Sequence, residues 1–290
     1  MSALPQPDQR RLADLRSLAD ILAGRRVVVL TGAGVSTDSG IPDYRGPVTR
    51  HKARNPMTFA QFTRSAQQRR RYWARSARGW STVARAEPNI THHAVAQLEA
   101  SGVVAGVITQ NVDGLHQAAG SQRVVELHGA LRRVVCLECG HRSSRGALQR
   151  TLAPFIPAAA PAPAVAAPDG DADVEPTADF PDVVCDRCGG GLKPDVVFFG
   201  ESVPADVTAA AWNLYAEAEA LLVLGSSLAV FSGYRFVHRA HKEGLPVALV
   251  TLGPTRADTV VACRVDAPLA EIVPWLPAVL GAQPLRDGSG

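Results

Sequence analysis

The chain has 290 residues, 46% of them hydrophobic, with 30 basic residues against 27 acidic ones. These figures suit one large soluble domain, or a large domain carrying a small one, and exclude whole-chain disorder. No apolar run reaches the roughly 18 residues of a membrane span; the longest candidate, 216–230, is broken by Glu217, Glu219 and the turn Gly225-Ser226-Ser227. The net charge of +3 hides a split: residues 44–86 contain eleven basic side chains and no acidic one, which calls for an anionic ligand or partner nearby.

In chain order, residues 8–23 place Leu12, Leu15, Leu18, Ala19 and Leu22 at helical spacing, with Gly24 as the stop. Residues 25–30 form a short β-branched run that reads as a buried strand feeding a glycine turn and a helix. The middle of the basic segment, 59–80, reads as helical. Further strands are predicted at 103–109, 220–224 and 246–251, separated by helices at 92–100, 205–218 and 234–243. This alternation predicts an α/β fold, a Rossmann-like parallel sheet with helices on both faces. Two stretches interrupt it, the basic segment and residues 134–193. The expected division is a sheet domain of 1–45, 87–133 and 194–290, a helical module of 46–86, and a metal-binding module of 134–193. The last contains a Pro/Ala-rich then acidic insert, 153–182, expected to be mobile.

Gly32-Ala33-Gly34-Val35-Ser36 follows a strand, the setting in which glycines let the backbone approach a pyrophosphate. Thr37 stands where a third fingerprint glycine would be, so a plain tight turn stays open beside dinucleotide binding. Cys136-Leu137-Glu138-Cys139 and Cys185-Asp186-Arg187-Cys188 have equal spacing and are each followed by glycine. Four thiolates complete a tetrahedral zinc site, so the expected role is one structural ion, with a redox pair or plain buried thiols as the alternatives. Five cysteines are too few for a disulfide scaffold. The N-terminal residues lack an apolar signal core, and Asp8, Asp14 and Asp20 argue against a transit peptide, so a cytoplasmic protein is expected. Thr109-Gln110-Asn111-Val112-Asp113-Gly114-Leu115-His116 lies at the C-terminal end of a predicted strand, where open α/β sheets hold their ligands. His128, beside Gly129, reads either as a structural histidine or as a base.

Taken together, Gly32–Ser36, Gly40-Ile41-Pro42-Asp43-Tyr44-Arg45, the run from Thr109 to His116, His128-Gly129, the paired C-x-x-C, the run from Lys193 to Glu201 and Gly225-Ser226-Ser227 occur in the order typical of sirtuins. The chain resembles that family of NAD-dependent protein-lysine deacylases from about residue 18 to 276. Tyr72-Trp73-Ala74-Arg75 and Ser232-Gly233-Tyr234-Arg235-Phe236 look most like its class II, in a bacterial member. The resemblance implies NAD as co-substrate, with Gly32, Ala33, Gly34, Ser36, Asp43, Tyr44, Arg45, Gln110, Asn111 and Asp113 around its diphosphate, ribose and nicotinamide. Gly225, Ser226, Ser227, Thr251, Leu252, Gly253 and Leu269 would lie toward the adenosine. His128 would be the general base, with Asn111 as the second catalytic residue. Val197, Phe198, Phe199, Gly200 and Leu228 would flank an acyl-lysine peptide or protein substrate added as an extra strand. The cysteines would hold structural zinc.

Thr251 stands where most sirtuins have asparagine, and weaker NAD affinity is expected from the lost amide geometry. Tyr72 and Arg75 resemble the pair with which desuccinylase-type members hold an acyl carboxylate. This suggests acidic, branched or lipoyl acyl groups beside acetyl, against the plainer reading of Arg75 as a solvated arginine. On this view the nearest anions to the basic segment are NAD phosphates and an acidic acyl group. Mono-ADP-ribosyl transfer, an NAD dehydrogenase and a zinc-ribbon module binding nucleic acid are the other readings. No membrane and no specific nucleic acid are expected as partners, and a monomer is expected.

Overall fold

The computed structural model describes residues 6–44, 56–156 and 175–282. Helix α1 (Gln9–Leu22) is capped by Asp8, whose carboxylate accepts from the Arg11 N–H, and it buries Leu15, Leu18 and Leu22. It leads into β1 (Val27–Thr31), every residue of which is buried. The glycine turn then opens a 3-10 helix, Ala33–Ser39, rather than the α-helix expected after a dinucleotide-type turn. It ends at Gly40, whose N–H returns to the Ser36 and Thr37 carbonyls.

The basic segment supplies α2 (Phe59–Arg64) and α3 (Ala66–Arg85). The single helix expected over 59–80 is split at Ser65, which is extended and whose side-chain oxygen accepts from the Gln68 N–H as the N-cap of α3. Next come α4 (Ile90–Ala100), β2 (Val104–Thr109), the short α5 (Leu115–Ala118) and β3 (Val124–Glu126). Strands β4 (Gly129–Cys136) and β5 (Arg142–Ser144), helix α6 (Arg145–Leu152) and β6 (Leu192–Val196) form the smaller unit. The chain returns through α7 (Ala205–Tyr215), β7 (Ala220–Leu224), α8 (Phe231–Glu243), β8 (Val247–Val250), β9 (Cys263–Val265), α9 (Leu269–Ile272) and α10 (Leu276–Val279).

The large sheet is six-stranded and parallel in the order β3-β2-β1-β7-β8-β9. One face is covered by α1, α4, α9 and α10, whose Leu18, Leu22, Val95, Leu98, Ile272 and Leu276 pack on alternate strand residues such as Val27, Val29 and Leu222. The other face, with Val28, Leu30, Leu221 and Val223, is covered by α7 and α8 through Leu214, Phe236 and Val237. Because β1, β2, β7 and β8 are buried on both faces, their sequences are largely continuous apolar runs rather than alternating ones. Strand order reverses beside β1, whose neighbours β2 and β7 lead away in opposite directions, and this opens a crevice at the C-terminal strand ends. Among the described residues no helix is long and apolar enough to cross a membrane.

The small sheet is antiparallel, β5-β4-β6, and reaches beyond 134–193 at both ends. Its core joins Phe62, Tyr72, Trp73, Val134, Leu192 and Phe198. Two parts of the 153–182 insert belong to it. Ala153–Phe155 forms a 3-10 turn, and Phe180 is buried against the same cluster, facing Phe155 at 6.4 Å between ring centroids. A large aromatic side chain with an apolar seat outweighs the polar composition around it.

The acidic end of that insert also answers part of the charge puzzle. Arg71 pairs with Glu175 at 2.5 Å, Arg70 lies 3.8 Å from Asp182, and Arg70 donates to the Ala178 carbonyl at 3.1 Å. For these two arginines of α3 the neighbouring anions are the chain's own carboxylates, not the ligand expected from sequence. These pairs are solvent-exposed and contribute little to stability individually.

Candidate functional site

Three loops meet at the crevice. The turn after β1 and the turn after β7 interlock: Gly34 N–H donates to the Gly225 carbonyl at 2.9 Å, and Gly32 N–H to the Leu224 carbonyl at 3.1 Å. A Cβ on Gly34 would come within 2.8 Å of the Gly225 carbonyl oxygen, one on Gly32 within 2.7 Å of Ser226 Cβ, and one on Gly225 within 2.6 Å of Val35 N. These glycines are required by loop-on-loop packing, whatever lies above them. The third loop follows β2. Its Gln110 amide donates to Ser226 Oγ at 2.8 Å and thereby reaches across β1 to the turn after β7.

A directional chain runs through the same loop. Asn111 Nδ2 donates to Ser36 Oγ at 3.0 Å, and the Ser36 hydroxyl donates to Asp113 Oδ2 at 2.7 Å. Burial raises the Asp113 pKa, an effect opposed by hydrogen bonds from Leu115 N–H and Ser36. Asn111, Ser36 and Asp113, predicted from separate motifs, thus form one polar unit. Tyr44 is half-buried and meets Phe199 edge-on at 6.3 Å. Ala33 and Asp43 are half-buried at the same end of the sheet, while Arg45 lies outside the described residues.

His128 occupies the end of β3. Its Nδ1 lies 3.0 Å from the Gln110 carbonyl, which can only accept, so Nδ1 carries the proton. Nε2 is then the free base, and it receives the Ser232 hydroxyl at 2.7 Å. Burial, together with the nearby Arg235 cation, lowers the His128 pKa below 6.5, against the opposing bond to Gln110, and keeps the ring neutral. Gly129 follows because the Asp195 carbonyl of β6 occupies the place a Cβ would take. The His128 carbonyl accepts from Val197 N–H at 2.9 Å, so the base is tied to the first residue of the segment Val197-Phe198-Phe199-Gly200.

That segment is held from behind. Lys193 Nζ, almost fully buried, donates to Glu201 at 2.6 and 2.7 Å and to the Val196 carbonyl at 2.7 Å, under the rings of Phe59 and Phe198. Glu201 also accepts from Phe198 N–H at 2.9 Å. Phe198 is buried against Phe62 and Tyr72, whereas Phe199 and Gly200 are exposed. Tyr72 is therefore packed in the aromatic cluster beneath this segment, and Arg75 is half-buried on the same helix. Opposite, Leu228 adopts a left-handed φ of 55° that a non-glycine residue rarely takes. This turns its side chain into the core and leaves Ala229 exposed.

Of the remaining predicted residues, Ser227 is half-buried and its carbonyl accepts from Arg256 N–H, Thr251 is buried at the end of β8, and Leu252 is half exposed. Gly253 N–H donates to Asp266 at 3.0 Å. Leu269 opens α9 and packs in the core cluster on that face.

A buried polar layer lies beneath the site. Thr31 Oγ1 bonds Thr109 Oγ1 at 2.8 Å and His116 Nε2 at 3.0 Å, and His116 stacks edge-on with His92 at 4.9 Å. Burial drives the pKa of His92 down to about 4 and that of His116 to about 3, so both are neutral in the fold. Unfolded, each titrates near 6.5, so stability is complete above that pH and falls as the pH drops toward 4. Each histidine should cost about 1.4 kcal/mol by pH 5.5. Thermal melts at pH 7.5, 6.5 and 5.5 check this; a flat midpoint across the series contradicts it.

The four cysteines converge at the far end of the small sheet. Their Sγ atoms lie within 4.8 Å of one another, with Cys136 to Cys188 at 3.5 Å and Cys139 to Cys185 at 3.8 Å. Thiolates on a tetrahedral zinc ion are about 3.8 Å apart, so the geometry fits one ion and is too long for a disulfide. His141 is not among the cluster, although its carbonyl accepts from Cys136 N–H.

Sequence reading missed Ser232 as a site residue. The helix expected at 234–243 begins at Phe231, so that Ser232 and Gly233 lie in its first turn. The signal available was the serine directly before a glycine placed against the site.

A six-stranded Rossmann-type sheet with a small four-thiolate unit beside its crevice defines a class of nucleotide-binding α/β proteins. Within it, the Sir2 family model matches residues 32–232, and the chain belongs to the Sir2 family. It is 51% identical over 277 residues to NAD-dependent protein deacetylase 1 of Mycobacterium avium, covering 94% of this chain and 98% of that protein. Over 294 residues it is 47% identical to the NAD-dependent protein deacetylase of Xanthomonas axonopodis pv. citri, covering 100% and 99%. Among solved structures, a complex described as Sir2-p53 peptide-NAD+ aligns with a TM-score of 0.76 at 30% identity, over 93% of this chain and 99% of that one.

Proposed function

We propose that this chain is an NAD-dependent protein-lysine deacylase that releases nicotinamide and an O-acyl-ADP-ribose. The observation that carries the reading is His128: a neutral imidazole with Nδ1 committed to Gln110 and Nε2 left as base, beside the polar unit of Asn111, Ser36 and Asp113. NAD would lie along the interlocked turns, its adenosine toward Ser226, Thr251 and Gly253 and its nicotinamide toward Asp113. The similarity to NAD-dependent deacetylases supports NAD as the co-substrate. An acyl-lysine peptide would add as a strand between Val197–Gly200 and Leu228–Val230, where Phe199, Gly200 and Ala229 are exposed.

The acyl oxygen of the modified lysine attacks the anomeric ribose carbon as nicotinamide leaves. His128 then takes the proton of a ribose hydroxyl, which adds to the resulting imidate. Structural zinc at Cys136, Cys139, Cys185 and Cys188 would supply no chemistry there and would brace β4 against β6. The Tyr72-x-x-Arg75 pattern, similar to that of desuccinylase-type members, supports acidic, branched or lipoyl acyl groups as substrates beside acetyl, since a guanidinium pairs with an acyl carboxylate and gains little from a methyl group.

The test is to mix the protein with NAD and acetyl-, glutaryl- and lipoyl-lysine peptides and measure nicotinamide. Release that depends on peptide is expected, and its absence for every peptide overturns the reading. With Arg75→Ala, turnover of the glutaryl peptide should fall at least tenfold more than that of the acetyl peptide. Equal loss on all peptides removes the carboxylate preference.

A further inference from the structure

We propose that Ser232 is a catalytic residue, relaying the proton of the substrate ribose hydroxyl to His128 Nε2; this rests on the deacylase reading above. Ser232 Oγ lies 2.7 Å from Nε2 and is the hydrogen-bond partner recorded for that nitrogen. The direction of the bond follows from the other side of the ring. Nδ1 holds its proton against the Gln110 carbonyl at 3.0 Å, so Nε2 has only a lone pair and the serine must donate. A hydroxyl has one proton and two acceptor pairs; with its proton given to His128, Ser232 offers only acceptor capacity to whatever approaches next. A ribose hydroxyl donating to Ser232 completes a chain that runs one way, from ribose to serine to imidazole.

The local sequence brings Ser232 there. It is the second residue of α8, a helix of 13 residues that begins at Phe231. The next residue is glycine because a Cβ at Gly233 would come within 2.5 Å of Gln110 Oε1. A side chain there would displace the Gln110 amide that packs between the first turn of α8 and the loop after β2.

In the step itself, the ribose O–H bond breaks and its proton passes to Ser232 Oγ as the serine's own proton passes to Nε2. The serine ends as a hydroxyl and His128 as an imidazolium. The ribose oxygen keeps the electron pair and forms the new bond to the imidate carbon. One proton is moved, and no other reactant is consumed.

The relay acts after nicotinamide has left, which separates it from a structural role. Using the zinc-loaded full chain with NAD and acetyl-lysine peptide, Ser232→Ala should lower deacylation at least tenfold more than it lowers nicotinamide exchange. Ser232→Thr, which restores a hydroxyl, should recover most of the loss. The wild-type solvent isotope effect should require two protons in flight, and that of Ser232→Ala one. Deacylation by Ser232→Ala at the wild-type rate overturns the relay, as does an equal fall in exchange and deacylation. A wild-type chain that releases no nicotinamide overturns the deacylase reading, and the relay with it.

Discussion

Replacing His128 by alanine should reduce deacylation by about a thousandfold or more while the protein keeps its fold and still binds NAD and peptide. General-base catalysis contributes roughly a hundred- to ten-thousandfold, and in the proposed mechanism Nε2 of the imidazole is the final acceptor of the ribose proton, which reaches it through Ser232. The pH profile carries the same information. With its pKa held below 6.5 by burial and by Arg235, His128 is in base form at neutral pH, so turnover should hold through pH 6.5 and decline below it. Acid loss from protonated His128 is distinguished from acid loss of stability by melting the protein at each pH. Activity of His128→Ala within tenfold of wild type would remove this residue from the mechanism.

Removing the metal should have the second large effect. Structural zinc contributes about 10–16 kcal/mol of apparent binding free energy in small zinc-finger peptides. The four sulfur atoms join the end of β4, at Cys136, to the stretch preceding β6. Those two strands end, at the opposite side of the sheet, on His128-Gly129 and on Val196-Val197. Chelation should release one zinc ion per chain, unfold the small sheet at lower temperature than the six-stranded one, and abolish peptide-dependent nicotinamide release. Cys185→Ser should do the same without chelator. Full turnover by protein holding less than about a tenth of an ion per chain would show that the cluster is dispensable.

The strands β1, β2, β7 and β8 were legible because burial on both faces leaves an unbroken apolar run, which needs no knowledge of neighbours to be seen. β3 and β9 were not: each has three residues, and Glu126 and Arg264 interrupt them, so their pairing comes from the adjacent strand rather than from their own composition. The break between α2 and α3 was hidden because Ser65 is an ordinary residue in a polar helix until its side chain is seen capping. The convergence of the four cysteines could be read from spacing alone, since two identical knuckles encode the local geometry. The orientation of His128 could not, because the atoms that fix it, the Gln110 carbonyl and the Ser232 hydroxyl, lie 18 and 104 positions away. Phe180 shows the opposite limit: a lone aromatic in a low-complexity stretch is anchored by a seat that other segments build.

The interlocked turns after β1 and β7 have a consequence for how such a site can change. Gly32, Gly34 and Gly225 each occupy space that the opposite turn would otherwise fill, so neither turn can acquire a side chain alone. Variation in this edge of the crevice must therefore enter elsewhere, at positions such as Thr251 or Leu252. Anyone transplanting this pair of turns into another sheet would have to move both as a single piece, with the spacing between β1 and β7 preserved.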